Sequence, residues 1–191
     1  MKHKGFTMNR TRNLVLMALF TALIAAGAFI RIPIPVVPFT LQFLFTMLAG
    51  LLLGGKHGAI SVLCYILIGL IGLPVFAEGG GIAYVFQPTF GYLIGFCIGA
   101  YVTGTIANKV PDPSIKRILA ANFIGLLIVY LLGMLYYWAI YTFYIGKGID
   151  FWTLFLYCFL LAVPGDIALS ILAAFLGKRL IPIIRKKGIT A

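Results

Sequence analysis

Acidic residues are scarce in this sequence: four of the 191 residues are Asp or Glu, whereas fifteen are Lys or Arg. Glu78, Asp112 and Asp150 lie between or at the ends of hydrophobic stretches, where water can reach them. Asp166 is different, because apolar sequence flanks it on both sides across residues 151–177. A carboxyl group at membrane depth is costly unless it faces a cavity or a partner, which makes Asp166 a candidate binding residue. A structural acid that caps neighbouring backbone is the alternative.

The sequence is also poor in cysteine and histidine, with three and two copies respectively. Cys64, Cys97 and Cys158 stand singly within hydrophobic stretches, and no CxxC or Cys/His spacing occurs. We therefore expect neither a metal site nor a disulfide framework, and no cofactor. No Asp pair or Ser/His dyad falls within the hydrophobic stretches, so we do not expect an enzyme.

Long apolar stretches are abundant: 62% of the residues are hydrophobic and the mean hydropathy is +1.09. A transmembrane helix needs about 20 predominantly apolar residues, and such windows predict an all-α integral membrane protein, one bundle of six transmembrane helices comprising residues 1–191. The first window has a basic start like that of a signal peptide, but five more follow it, so we interpret it as a retained helix. The predicted spans are 14–30, 39–54, 59–73, 88–107, 118–144 and 151–176.

The distribution of Lys and Arg predicts how this bundle is oriented. When alternate loops are assigned to the two membrane faces, Arg31 and Lys147 fall on one face, which leaves thirteen of the fifteen basic residues for the other. Lys and Arg concentrate in cytoplasmic loops, so both chain termini are predicted to be cytoplasmic. The net charge of +11 therefore indicates topology and contact with anionic membrane lipid, not nucleic-acid binding.

Residues 31–42, on the predicted outer face, combine prolines with apolar side chains. The three prolines forbid a regular helix, yet the stretch is too apolar for an ordinary solvent-exposed loop. Irregular backbone at membrane depth is tolerated only where it is buried in protein or lines a cavity, so we predict that this stretch re-enters the protein. Thr40 and Gln42 can offer hydrogen bonds into such a cavity, or they can merely satisfy the irregular backbone.

A second predicted outer loop, residues 72–89, combines three consecutive glycines centred on Gly80 with aromatic residues. Glycine lets the backbone turn tightly or approach a ligand closely. Phe76 and Tyr84 lie in this loop and Tyr92 follows it. Aromatic side chains on a glycine-rich hinge are typical of a lid over a pocket that opens outwards. The alternative is a flexible surface loop whose aromatic residues lie at the membrane interface.

Small residues recur at every fourth position of the first predicted span, at Ala18, Ala22 and Ala26. Residues at that spacing lie on one helix face. In lipid, small side chains allow another helix to approach closely. This alanine stripe is therefore either a docking face for another membrane protein or a packing surface within the chain.

The run G-x-x-x-x-G-K at residues 50–56 matches the beginning of a phosphate-binding loop. The next residue is His57 instead of Ser or Thr, and the run lies in an apolar helix without a preceding strand. We interpret Gly50 and Gly54 as a helix-packing pair and expect no nucleotide site in this chain. If transport is driven by ATP, another protein must bind it.

Four motifs, taken together and in order, carry a resemblance to a known family. They are PIPVVPFTLQ at 33–42, GLPVFA at 72–77, PTFGYLIGF at 88–96 and PGD at 164–166. The chain resembles the BioY family, the biotin-binding membrane subunits (S components) of energy-coupling-factor vitamin transporters. The resemblance extends over essentially the whole sequence.

The resemblance implies six helices around a vitamin site near the outer face, in the cell membrane of a prokaryote. It also implies a transmembrane coupling subunit and two cytoplasmic ATPases as partners, with ATP bound by the ATPases. In such S components an Ala-x-x-x-Ala pattern on the first helix meets the coupling subunit. Ala18 and Ala22 match this pattern and Ala26 extends it, which favours the docking interpretation.

Biotin has two ureido N–H donors, one ureido C=O acceptor, an apolar ring and a carboxylate tail. An ionised Asp166 can accept from the ureido N–H groups, in a charge-assisted bond worth about 1.5–3 kcal/mol. Gln42 or Thr40 can donate to the ureido oxygen, beneath the Gly80 hinge. The aromatic side chains expected to cover the ring are Phe76, Tyr84 and Tyr92.

One position departs from the family pattern, in which a lysine commonly follows the Asp by one helical turn. That position is Leu169, so the expected cation for the ligand carboxylate is missing. Arg31 or Lys147 is a substitute; the alternative for Arg31 is an interaction with lipid headgroups. Two rival functions remain: a proton-coupled small-solute carrier that uses Asp166 as its relay, and an S component for another vitamin.

Overall fold

The computed structural model describes residues 3–32 and 39–186. Pro33, Pro35 and Pro38 lie outside the described residues, so the predicted re-entry of the proline-rich stretch stays a prediction. The described residues form nine helical or strand segments and two π-helical turns. They are α1 (His3–Phe29), β1 (Arg31–Ile32), β2 (Phe39–Thr40), α2 (Gln42–Leu70), a 3-10 turn (Ile82–Phe86), α3 (Phe90–Ala107), α4 (Ile115–Ala139), a π turn (Ile140–Tyr144), α5 (Phe151–Phe155), a π turn (Leu156–Leu160) and α6 (Val163–Lys186).

The described part of the chain contains five helical stretches that are long and apolar enough to cross a membrane. The predicted class, a helical multi-pass membrane protein, is therefore confirmed. The π turns extend α4 and join α5 to α6 within single stretches. These two stretches are longer than the sequence predicts, because the first begins at residue 115 instead of 118 and the second ends at residue 184 instead of 176. The five stretches are Arg10–Phe29, Gln42–Leu70, Phe90–Ala107, Ile115–Tyr144 and Phe151–Ile184.

The helix α2 is not straight, because Gly54 breaks it with φ 83° and ψ 168°. Glycine adopts such a positive φ without strain. A Cβ on Gly58 would lie 2.7 Å from the Cα of Gly50, whereas residues eight apart in a straight helix are separated by about 12 Å. The chain therefore folds back at Gly54, and α2 is a hairpin of two limbs, 42–53 and 55–70. The short loop predicted between spans 39–54 and 59–73 is replaced by this one-residue joint.

Glycine also sets the close packing of α3 against its neighbours. A Cβ on Gly95 would lie 2.8 Å from the Cα of Val129 on α4. One on Gly104 would lie 2.5 Å from the backbone nitrogen of Gly55, beside the α2 joint. Backbones approach this closely in membrane proteins only where side chains are very small. The chain thus brings α2, α3 and α4 into a tight core beneath the loops.

The alanine stripe of α1 lies on the opposite face from its buried residues. Phe20 and Ile24 pack into the core, whereas Ala18, Ala22 and Ala26 are exposed. None of the three alanines is buried against the described part of the chain. The stripe remains available to another molecule.

Candidate functional site

A cavity of about 60 Å³ lies at the end of the bundle formed by the β1–β2 hairpin and the loop 71–89, which we call the loop end. Residues from α2, α3, α4, α6 and both loops line it. Five of the eight predicted binding residues are brought together here from positions far apart in the sequence. They are Thr40, Gln42, Tyr84, Tyr92 and Asp166.

Asp166 lies in the first turn of α6, directly after the π turn Leu156–Leu160. Pro164 precedes it at the helix start, where proline costs no helical hydrogen bond. The backbone N–H of Asp166 donates to the carbonyl of Ala162 over 3.2 Å, and the Asp166 side chain faces the cavity. The Tyr130 hydroxyl donates to the carboxylate Oδ2 over 2.5 Å. One carboxylate oxygen is thus occupied by the protein, and the other can accept from a ligand.

Tyr130 is itself held by two rings from other elements. Its ring meets that of Tyr92 edge to face at 6.0 Å and that of Phe159 at 5.2 Å between centroids. The Tyr92 hydroxyl donates to the carbonyl of Cys158 over 2.9 Å, which satisfies a backbone acceptor of the π turn. The Tyr92 ring fits because Gly133 has no side chain: a Cβ there would lie 2.5 Å from it. The position of Asp166 therefore depends on α3, α4 and the π turn together.

Gln42 begins α2 and is buried, with 3% of its surface exposed. Its Nε2 has no hydrogen-bond partner among the described residues. The Tyr65 hydroxyl, which lies beside the amide, donates to the carbonyl of Val75 over 3.1 Å. Buried polar groups are nearly always paired in native proteins. Gln42 thus offers the cavity an unused donor.

The loop 71–89, which we call the lid loop, contributes one aromatic residue to the cavity lining and a second that packs against the first. Tyr84 lines the cavity, and burial raises the pKa of its phenol, which therefore stays protonated. Phe76 is not a lining residue: its ring packs 4.5 Å from Tyr84 and 5.4 Å from Tyr65 between centroids. Gly80 does not line the cavity either, and its backbone packs against Leu73. Phe76 and Gly80 thus support the lid.

Two further helices hold the lid loop. The N–H of Gly81 donates to the carbonyl of Gly69 over 2.7 Å, which attaches the loop to α2. The Tyr136 hydroxyl donates to the carbonyl of Val85 over 2.5 Å, which attaches it to α4. Phe86 also stacks on Tyr144 at 4.8 Å between centroids. The loop is therefore anchored at Gly81 and at the residues that follow its glycines.

Arg31 bridges the two loops without lining the cavity. Its guanidinium donates to the carbonyl of Ala77, and its side chain is otherwise exposed. Ala77 and the following residue, Glu78, do line the cavity. Arg31 thus lies at the rim of the cavity, where it bonds to the residue that precedes Glu78.

Sequence reasoning missed several lining residues, most importantly Tyr130. It is one of ten tyrosines and lies 36 positions before Asp166 in an uninterrupted apolar helix. No local signal distinguishes it; only the packing of α4 against α6 does. Among residues 3–32 and 39–186, no three His, Cys, Asp or Glu side chains come together as metal ligands would.

Comparison with known proteins assigns the chain to one family. The model of the BioY family matches residues 1–186. The sequence is 47% identical over 175 residues to the probable biotin transporter BioY of Lysinibacillus sphaericus, covering 92% of this chain and 89% of that protein. The chain belongs to the BioY family. It is also 36% identical over 180 residues to the biotin transporter BioY of Rhizobium etli, covering 88% and 92%.

The fold of this BioY-family chain matches a solved structure as well. The crystal structure of the S-component for biotin from an ECF-type ABC transporter superposes with a TM-score of 0.79. The two sequences are 30% identical, and the match covers 94% of each chain.

Beside α1, this BioY-family chain has an apolar groove of about 540 Å³. Ala18 and Ala22 form one wall, and Ile60 and Cys64 of the second α2 limb form the other. Ala26 is exposed beyond the groove. The stripe and the groove together form one continuous apolar face, which we call the α1 face.

Leu169, the position where the resemblance predicts a lysine, is buried and does not line the cavity. Lys147 is exposed in the loop after α4, where its backbone N–H donates to the carbonyl of Tyr141 over 3.1 Å. Neither residue supplies a cation inside the cavity. Of the two predicted substitutes, Arg31 lies nearer, at the rim.

Proposed function

We propose that this chain is the biotin-binding S component of an energy-coupling-factor transporter in the plasma membrane of a prokaryote. One observation carries the proposal: a half-buried carboxylate, Asp166, and an unused buried donor, Gln42, line the same cavity. A ureido ring, with N–H donors on two sides and one C=O acceptor, needs both. Membership of the BioY family and the fold of a biotin S component support it independently.

In the proposed complex, the free oxygen of Asp166 accepts from one of the two ureido N–H groups. Such a charge-assisted bond contributes about 1.5–3 kcal/mol, and more when it is shielded from water. Gln42 donates to the ureido oxygen, and Thr40 lies beside it as a second donor. Tyr84 and Tyr92 cover the apolar ring from the lid and from α3. Phe76 and Gly80 do not contact the ligand directly; Phe76 supports Tyr84, and Gly80 supports the backbone of the hinge.

The cavity is contracted in this structure. Its volume of about 60 Å³ is well below the roughly 300–1,000 Å³ of pockets that enclose small molecules. The loop 71–89 contributes Ala77, Glu78, Tyr84 and Thr89 to the lining, and we propose that it moves when biotin enters. Its glycines Gly79 and Gly81 have φ values of 121° and 100°. Gly79 lies between two contacts of the loop, that of Ala77 with Arg31 and that of Gly81 with α2, where a hinge is needed.

We place the loop end at the outer face and both termini in the cytoplasm, because thirteen of the fifteen basic residues lie in the segments at the other end. In this arrangement the two limbs of α2 run in opposite directions within the membrane, which gives six membrane segments from five helical stretches. The basic residues at the cytoplasmic end contact anionic lipid headgroups.

We assign the α1 face to the transmembrane coupling subunit of the transporter. Its exposed alanines allow a partner helix to approach closely, and the groove beside them is almost wholly apolar. The coupling subunit in turn carries two cytoplasmic ATPases, which bind the ATP. At the other end of the molecule, Arg31 is the cation available to the biotin carboxylate.

Calorimetric titration of the purified chain tests the proposal. We expect biotin to bind tightly, whereas thiamine and riboflavin should give no binding heat. Mass spectrometry of ligand that co-purifies from cells provides an unbiased check. Binding of a different vitamin in place of biotin would contradict the assigned substrate.

Uptake measurements separate this function from a proton-coupled carrier. We expect labelled biotin uptake to stop when the ATPases are deleted. Uptake that persists without the ATPases and collapses with an uncoupler would favour Asp166 as a proton relay. Its only side-chain hydrogen bond among the described residues is to Tyr130, so no chain of relay groups supports that rival.

A further inference from the structure

The charge of the cavity is unfavourable for a ligand with a carboxylate tail. Two of its lining residues are acidic, Glu78 and Asp166, and none of the lining residues is Lys or Arg. Residues 33–38 are Pro, Ile and Val only, so by sequence they add no cation either. A carboxylate placed inside this cavity would meet like charge and no ion-pair partner.

The depths of the two acids indicate where a ligand tail must point. Asp166 lies with Tyr130 and the buried Gln42, whereas Glu78 is exposed on the lid. A ureido ring held by Asp166 and Gln42 therefore directs its tail towards Ala77 and Glu78. We call the opening beside Ala77 and Glu78 the mouth of the cavity, and the ligand tail leaves the protein there.

Arg31 is the one described cation at this mouth, and its chemistry does not require a charged ligand. Its guanidinium already donates to a neutral acceptor, the carbonyl of Ala77. An amide carbonyl at the end of a ligand tail can accept from it in the same way. When the ligand carboxylate is replaced by an amide, the ligand can still accept a hydrogen bond from Arg31, and the repulsion between its tail and Glu78 is removed.

We propose that the cavity also takes biotin amides, in which the carboxyl group is joined to an amine, with an affinity comparable to that for free biotin. This inference rests on the proposed function, because it assumes that the ureido ring binds at Asp166. Simple biotinamide is the smallest such ligand. Biocytin, in which the amine is the side chain of lysine, extends the tail past the mouth into water.

Calorimetry on the purified full chain tests the inference with biotin, biotinamide and biocytin as probes. We expect both amides to bind within about fivefold of biotin, since exposed charge pairs contribute at most about 1 kcal/mol. An affinity for biotinamide more than about fivefold below that for biotin would overturn the inference. If biotin itself does not bind, the proposed function fails instead, so the two failures are distinguishable.

A charge variant at the mouth gives a second, independent readout. We expect Glu78→Gln to shift the biotin-to-biotinamide affinity ratio in favour of biotin by about twofold to fivefold. Asp150→Asn is the matched control, since Asp150 is an exposed acid outside the cavity lining and Asn preserves its role as the cap of α5. An unchanged ratio in Glu78→Gln, or an equal shift in the control, contradicts a role for Glu78.

Discussion

The cavity at the loop end and the α1 face are suited to binding by different physical means. The cavity assembles polar atoms from four helices and two loops, and its central contact joins residues 36 positions apart, Tyr130 and Asp166. The α1 face repeats one small residue type along a single helix and has few polar atoms. The first depends on the placement of individual hydrogen-bonding groups, and the second on shape.

This difference teaches that the two functions can be damaged separately. A polar substitution of similar size should affect the cavity and leave the α1 face intact, because it changes chemistry without changing shape. A large apolar side chain on α1 should do the opposite, because it fills space that a partner helix needs. Four predictions use this separation.

The largest effect is expected from a steric block of the α1 face. We expect Ala18→Trp combined with Ala22→Trp to abolish co-purification with the coupling subunit, while biotin binding stays intact. Leu19→Trp is the matched control, because Leu19 is 50% exposed on the same helix but does not line the groove. A complex that survives the double substitution would show that the α1 face is not the docking surface.

Removal of the cavity's carboxylate is expected to have the next largest effect. Asp166→Asn keeps the size of the side chain but replaces a charge-assisted hydrogen bond, so we expect biotin affinity to fall at least about tenfold. Calorimetry measures the affinity, and co-purification with the coupling subunit should be unchanged. Wild-type affinity in this variant would contradict the assigned role of Asp166.

A smaller loss is expected at Tyr130, which positions the carboxylate and keeps one of its oxygens bonded. We expect Tyr130→Phe to weaken biotin binding by about threefold to tenfold, less than the full value of one hydrogen bond to a charged group, because Tyr130 acts on the ligand only through Asp166. In the Asp166→Asn background the same substitution should cost much less, because the two residues act together. Additive losses in this double-mutant cycle would indicate that Tyr130 acts independently of Asp166.

The smallest effect is expected at the rim. We expect Arg31→Gln to lower biotin affinity by about twofold to fivefold, because an exposed cation contributes little. Lys147→Gln serves as the control, since Lys147 is also a loop-end cation but lies outside the cavity lining. Equal effects from the two substitutions would assign the tail interaction to general electrostatics and not to Arg31.

The apolar spans and the main acidic residue could be predicted from the sequence because each depends on local composition. A buried charge such as Asp166 is conspicuous in apolar sequence, and Gln42 follows a run of prolines that forbids helix. Tyr130 could not be predicted, because an aromatic residue in an apolar helix gives no indication of which neighbour it will bond. Its role arises only when α4 packs against α6.

The joint of α2 shows a different limit of prediction. The sequence around Lys56 and His57 indicates a boundary between two spans, but not that a single residue reverses the chain. Gly54 can do so because it adopts a positive φ and because Gly104 leaves room beside it. The reversal thus depends on a contact with α3, more than 40 residues later.

The α2 joint connects the cavity at the loop end to the groove beside α1. Gln42 lies on one limb of the hairpin and Cys64, in the wall of the groove, lies on the other. Gly54 is buried against α3, so neither limb can swing without disturbing that packing. The two limbs also touch each other at Gly50 and Gly58, so the residues that line the cavity and the residues that line the groove share one packed unit. By thermodynamic linkage, if ligand binding changes the affinity for the partner, then the partner changes the affinity for the ligand by the same factor.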